Sequence, residues 1–210
     1  MAEVQPAKAP QSTPMTRREF LYYVWGASMA LFLAEFGGAF VWFLLPRFKA
    51  GEFGGVFTLD LSNIPLADAG PAEFAAGRFW LVNLGDTTLN DPRRPAGYSG
   101  SKGIKALYKV CVHLGCLYKW VPTNNRFECP CHGSKYLLGG ERIDGPARRN
   151  LDVFIVQAVD AQGTVLAESK PAGKSDDGEA FEVPSGAVAL RVNTGKRIDG
   201  AANTRPGGGR

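Results

Sequence analysis

The tightest constraint on the chain is an apolar run of 26 residues, Phe20 to Leu45, that carries a single charge, Glu35. As a helix the run would reach about 39 Å at roughly 1.5 Å per residue, against roughly 30 Å for the hydrocarbon core of a bilayer. A segment apolar on every side has no natural place in a small water-soluble domain, so it is expected to span a membrane with some tilt. A cleaved signal peptide is the competing assignment. Such peptides have apolar cores of roughly 7–15 residues and end at a small-x-small site, whereas Phe48-Lys49-Ala50 is a poor one. Residues 16–46 are therefore expected to form an uncleaved anchor. The remainder of the 210 residues must fold beside the membrane and suffices for one domain of ordinary size.

The flanks of this run are informative. Residues 1–15 are rich in Ala, Pro, Gln and Ser and poor in large apolar side chains, so a disordered tail is expected. Thr16-Arg17-Arg18-Glu19-Phe20-Leu21 resembles a twin-arginine export signal. That favours a cytoplasmic N-terminus with the body on the periplasmic or extracytoplasmic side; charge alone orients the helix weakly, with Lys8, Arg17 and Arg18 before it and Arg47 and Lys49 after it. Gly26, Ala30, Ala34 and Gly38 recur every fourth residue, which is either a helix-packing face or the ordinary abundance of small residues in such helices. Glu35 is expected to face protein or water rather than lipid. Residues 47–56 include KAGEFGGV and are expected to be a flexible glycine-containing tether.

Beyond the tether the pattern is one of short strands: 56–61, 78–84, 104–110, 151–159, 164–169 and 187–192, separated by clusters of Gly, Pro, Asn and Asp, with no long 3.6-residue periodicity between them. An antiparallel all-β domain over 57–194 follows, with an exposed loop at 171–180 and a flexible basic tail at 195–210. The composition, 45% hydrophobic and 21% charged, excludes a wholly disordered chain, and 26 glycines without a G-x-y period exclude a collagen-like fibre. Of the net charge of +4, +2 lies on residues 1–50 and +3 on 195–210, leaving −1 on 51–194. A nearly neutral domain gives nucleic-acid binding no electrostatic footing.

All four cysteines and both histidines fall between Cys111 and His132, as C-V-H-L-G-C, twelve residues, then C-P-C-H-G-S. Scattered structural thiols would not concentrate in this way, and a nucleophilic Cys–His pair would need one of each, so metal chemistry is the leading explanation. Cys111 and His113, two apart on an extended loop, project the same way toward one ion. Cys129 and His132 flank a turn at Pro130. A structural zinc site is the alternative; it takes four ligands in closed tetrahedral geometry and leaves the remaining two residues without a role.

The residues resemble those of Rieske iron–sulfur proteins, whose signature is C-x-H-x-G-C followed by C-x-C-H-G-S. The resemblance implies an all-β Rieske-type domain, an antiparallel β sandwich with cluster-binding loops, behind one N-terminal transmembrane α-helix. It implies one 2Fe-2S cluster with Cys111 and Cys129 as thiolate ligands, His113 and His132 as imidazole ligands, and a disulfide between Cys116 and Cys131. Rieske ferredoxins of the reducing cytosol lack that extra pair, so Cys116 and Cys131 point to an oxidising compartment, in agreement with the export-like signal. By the same resemblance Ser134 and Tyr136 donate hydrogen bonds to a bridging sulfide and a ligand thiolate and raise the potential; a plain core aromatic is the other reading of Tyr136. Leu114 is implied to cover the cluster and border a quinone site. Pro146, in Gly145-Pro146-Ala147, is implied to cap the cluster from a third side. Two positions depart from the family pattern: Arg148 stands where a second proline is common, and Val112 where Thr is common.

The likeness extends over signal, anchor, tether and domain. It is closest to the Rieske subunit of a quinol-oxidising cytochrome bc or b6f complex, with the spacer KWVPTNNRFE leaning toward the b6f type. The activity implied is oxidation of quinol, one electron going to the cluster and a proton to a histidine ligand, His132 or His113, before the domain swings on its tether to a c-type cytochrome. The implied partners are a cytochrome b-type subunit, a c-type cytochrome, quinol and membrane lipid in a multi-subunit, dimeric complex. A second class is the Rieske subunit of an exported oxidoreductase such as arsenite oxidase, which never meets quinol. A third is a Rieske-fold module that has lost its cluster, against which all four ligand positions are intact. Arg148 and Arg149 are either a docking patch for an acidic cytochrome or a solvated pair.

Overall fold

The computed structural model describes residues 14–45, 51–94, 101–169 and 180–202. The chain divides into two compact units, Met1–Arg47 and Phe48–Arg210. The expected tail at 1–15 therefore lies almost wholly outside the described residues, as does most of the loop at 171–180.

The first unit is one helix, α1 (Arg17–Leu44). Thr16 starts it with a capping box: its hydroxyl accepts the Glu19 N–H at 3.3 Å, and the Glu19 carboxylate accepts the Thr16 N–H at 2.9 Å. Arg17 and Arg18 occupy the first turn, where a cation opposes the helix dipole, so helix stability does not account for them. None of the 28 residues is buried, and the helix is long and apolar enough to cross a membrane. Phe32, Phe36 and Phe40 stack at 5.9 and 6.3 Å along one line, while a Cβ at Gly26 or Gly38 would meet nothing within 4 Å.

Among the described residues the second unit has eleven strands: β1 (Val56–Asp60), β2 (Ala72–Phe74), β3 (Phe79–Leu84), β4 (Gly103–Tyr108), β5 (Lys119–Val121), β6 (Arg126–Glu128), β7 (Lys135–Tyr136), β8 (Arg142–Asp144), β9 (Val153–Val159), β10 (Val165–Glu168) and β11 (Ala189–Ile198). They form two antiparallel sheets. The larger runs β1-β11-β9-β4-β3-β2, with β10 also on β9; the smaller is β5-β6-β7-β8 and carries the cysteine–histidine loops. Strand β3 shows why one chain supports both. Its side chains alternate sides, and both sides are buried: Phe79 and Leu81 enter one core with Phe57, Ile104 and Val156, while Trp80, Val82 and Leu84 enter the other with Tyr118, Phe127 and Tyr136. The small sheet, whose strands are too short to stand alone, is thus held by the back of the large one.

Two expected boundaries are corrected. Residues 195–202 are not a free tail, because β11 runs on to Ile198 after a bulge, the Gly200 N–H donates to Asp152 at 3.0 Å, and Ala201 is buried. Nor is the described half of the tether free. Gly54 N–H donates to the Thr194 hydroxyl at 2.8 Å, that hydroxyl donates to Gly55 O at 2.8 Å, and Thr194 N–H donates to the same oxygen at 2.9 Å. The Phe53 ring stacks on Tyr108 at 6.0 Å beneath the Arg78 guanidinium. In both places the bulged end of β11 supplies backbone and hydroxyl partners that a composition rich in glycine does not advertise.

Candidate metal centre

The two motif loops repeat one hydrogen-bonding scheme. In the first, Cys111 N–H donates to Cys116 O at 2.7 Å and Gly115 N–H to Cys111 O at 3.0 Å. In the second, Cys129 N–H donates to Ser134 O at 2.8 Å and Gly133 N–H to Cys129 O at 3.0 Å. Each loop turns at a glycine in the left-handed region, Gly115 (φ 81°) and Gly133 (φ 76°), which explains the glycine at that point of each motif. Isolated bridges and strands β5 to β7 set the loops side by side, and the Cys116–Cys131 disulfide ties them together (S–S 2.11 Å).

The four remaining donors separate into two pairs. The Cys111 and Cys129 thiols are buried, at 1% and 3% exposure, and lie within hydrogen-bonding reach of each other. His113 and His132 stand together at the surface, their rings 4.8 Å apart and nearly perpendicular, with His132 exposed. The sulfurs of Cys116, Cys129 and Cys131 also lie within 4.8 Å of one another, but the disulfide removes two of these as ligands and leaves Cys111 and Cys129 as the thiols. A thiol pair inside and an imidazole pair outside fit two metal ions, one per pair, better than one ion in a closed tetrahedron.

Burial and hydrogen-bond donors act in opposite senses on the thiol pair. Burial pushes the Cys129 thiol up, with neighbouring Cys111 adding to this, while N–H groups of Cys131 and His132 donate to it and pull the other way. The Tyr136 hydroxyl is 3.2 Å from Cys111 Sγ. Burial, and then Cys111 itself, raise the Tyr136 phenol, so it stays protonated and would be the donor to Cys111 as a thiolate. Tyr118, wholly buried beside it, is raised by burial in the same way and donates to Tyr108 O at 2.7 Å. Tyr136 is a core aromatic, and its hydroxyl reaches the Cys111 sulfur.

Ser134 is fully buried and accepts the Ala147 N–H at 3.2 Å. The loop of Gly145, Pro146 and Ala147 closes against it so tightly that a Cβ on Gly145 (φ 91°) would come 2.4 Å from Ser134 Cα. Leu114 projects at the loop tip with 70% of its surface exposed, joined by Leu117 at 57%. Val112 is half-buried against the second core. Arg148 is exposed, but Arg149 is ion-paired with buried Asp152, so the two arginines are not an equivalent patch. Sequence reasoning missed the brace behind the third loop, where buried Arg142 donates to Gly145 O at 2.9 Å, because an arginine in a three-residue strand carries no signal of its own.

A small antiparallel sheet presenting buried thiols and surface imidazoles on two disulfide-tied loops is the arrangement of a metal-binding domain with two kinds of donor. The Rieske [2Fe-2S] domain profile matches residues 72–155. The cytochrome b6-f complex iron-sulfur subunit of Gloeobacter violaceus is 37% identical over 168 residues, covering 75% of this chain and 85% of its own. Subunit 1 of the same name from Synechocystis is 32% identical over 161 residues, covering 74% and 86%. The solved plasma membrane Rieske protein PetC3 of Synechocystis is 30% identical, covering 44% of this chain and 90% of its own at a TM-score of 0.27. The chain belongs to the Rieske iron–sulfur protein family, and its domain binds a 2Fe-2S cluster.

Proposed function

We propose that this protein is the high-potential Rieske subunit of a quinol-oxidising cytochrome b6f or bc-type complex. Cys111 and Cys129 would hold one iron of the cluster and His113 and His132 the other. The observation that carries the reading is the polarity of the site: thiols buried, imidazoles at the surface beside exposed Leu114 and Leu117. When bound, the cluster supplies a one-electron acceptor. His132, the more exposed imidazole, would take one proton from a docked quinol hydroxyl at its outer ring nitrogen, deprotonated beforehand, as one electron leaves the quinol; the second electron would go to a cytochrome b-type partner and the second proton to water or another base. Leu114 and Leu117 offer the quinol ring an apolar rest and thin the water around the transfer. Tyr136 and Ser134 donate hydrogen bonds that favour the more negative, reduced centre and so raise its potential.

Delivery of the electron to a c-type cytochrome requires the domain to reorient. Residues 51–55 are fastened to β11 and so belong to the domain that reorients. Helix α1 is the membrane anchor, the arginine pair in its first turn is part of an export signal, and the domain faces the periplasmic or extracytoplasmic side. The relatives named as b6-f subunits support a multi-subunit assembly containing cytochromes. The test is a redox-poised electron paramagnetic resonance titration of membranes with and without a quinol-site inhibitor. A Rieske signal whose shape shifts with the inhibitor is expected; a signal indifferent to inhibitor and quinone would instead favour an electron relay in an exported oxidoreductase.

A further inference from the structure

Arg142 sits on β8 with 5% of its surface exposed, within the small sheet that carries the thiol pair. Its guanidinium grips one carbonyl oxygen, that of Gly145, with Nη2 at 2.9 Å and Nε at 3.3 Å. Its backbone N–H donates to Asn150 Oδ1 at 2.7 Å, which ties the far end of the third loop to the same residue. Gly145 is the point of closest approach to the second motif loop, its would-be Cβ lying 2.4 Å from Ser134 Cα and 2.7 Å from Gly133 O. Two residues on, the Ala147 N–H reaches Ser134 Oγ at 3.2 Å. A hydroxyl oxygen that accepts one N–H keeps one hydrogen to give, and the accepted bond restricts where that hydrogen can point. Its other neighbour is the Tyr136 phenol, with which Ser134 shares a side-chain hydrogen bond and which itself lies 3.2 Å from Cys111 Sγ.

We propose that Arg142 is a positioning residue for the redox centre. By holding Gly145 it seats the Ala147 N–H on Ser134 and so limits the directions in which the Ser134 hydroxyl can donate beside Tyr136 and the thiol pair. The inference rests on the assignment of Ser134 as a donor to the cluster made above. A buried cation also favours a reduced centre through space, and the two effects separate by context: aiming needs the Ser134 hydroxyl, whereas charge does not.

The experiment is a double-mutant cycle on the membrane-bound, cluster-loaded protein, reading midpoint potential for wild type, Arg142→Gln, Ser134→Ala and the double variant. Arg142→Gln is expected to lower the potential by at least half of the Ser134→Ala shift and to add little in the Ser134→Ala background. Amide exchange at Ala147 is expected to quicken roughly tenfold in Arg142→Gln. A full, additive shift in the double variant, an unchanged potential, or unchanged exchange at Ala147 would each overturn the proposal. If Arg142→Gln fails to load, Arg142→Lys carries the same cycle, since it keeps the charge but cannot fork the carbonyl; a wild-type potential and exchange rate in that variant would likewise overturn it. Both readouts need neither quinol nor cytochrome, so their failure is distinct from failure of the quinol assignment.

Discussion

Replacing Tyr136 by Phe removes one hydroxyl and leaves the ring in place, which isolates the bond to Cys111. Both partners are buried, at 0% and 1% exposure, and the contact is 3.2 Å, so water cannot substitute for the lost donor. A hydrogen bond to a charged acceptor contributes about 1.5–3 kcal/mol. The thiolate is charged in both redox states, and only the increment gained on reduction moves the potential. Taking that increment as roughly a third to a half of the bond gives about 1 kcal/mol, which at about 59 mV per 1.4 kcal/mol for one electron is about 40 mV. Tyr136→Phe is therefore expected to load its cluster normally and to titrate about 40 mV lower by electron paramagnetic resonance. The ring still packs on Tyr118 at 5.9 Å, so the fold is not the variable. A midpoint within about 10 mV of wild type, or above it, would refute the assignment of Tyr136 as donor to a metal-bound Cys111.

Other outcomes follow from the same geometry. His132→Ala is expected to abolish the Rieske signal in membranes while leaving the domain folded by circular dichroism, because the ring is exposed and supports no core. Arg94→Met leaves the Glu141 carboxylate, 2% exposed, without its cation at 2.9 Å; a loss of about 3–5 kcal/mol is expected in chemical denaturation. Arg94→Met/Glu141→Gln should recover part of that loss, because the second change removes the stranded charge. Burial works against the charge of Asp68, but hydrogen bonds from Thr88, Thr87 and Gly85 hold it at about 2 against an ordinary 3.8. Its contribution is thus complete above about pH 4 and lost as pH falls toward 2, and Asp68→Asn should flatten acid unfolding in that window. Thr194→Val is expected to expose residues 51–55 to proteolysis roughly tenfold faster, by loss of the hydroxyl that both donates and accepts there.

The parts of the fold that could be read from residues alone are those with long, self-consistent patterns. Helix α1 was legible because no other structure suits an apolar run of its length, and β3, β4 and β9 because a six- or seven-residue β-branched and aromatic stretch has few alternatives. The small sheet was not. Its strands are two or three residues long, below the length at which alternation can be recognised, and they exist because the motif loops and the second core hold them. The site divides in the same way. The concentration of Cys and His between 111 and 132 marks metal chemistry by residue type and spacing, whereas the third loop depends on contacts across sequence: Gly145 on Ser134, Ala147 on Ser134, Arg142 on Gly145. The pinning of residues 51–55 was illegible for a further reason, since its partner is the hydroxyl of Thr194, 140 residues away.

The sulfurs of Cys116, Cys129 and Cys131 lie within 4.8 Å of one another, so the disulfide has a free thiol for a neighbour. A Cys129 thiolate that reached the bond would exchange with it, joining Cys129 to one of the pair and releasing the other as a thiol. Occupation of the Cys129 sulfur, as proposed for the bound cluster, would bar that exchange. Alkylation mapping should accordingly find the Cys116–Cys131 pairing more readily scrambled in cluster-free than in cluster-loaded protein, and equal scrambling in both would contradict that protection.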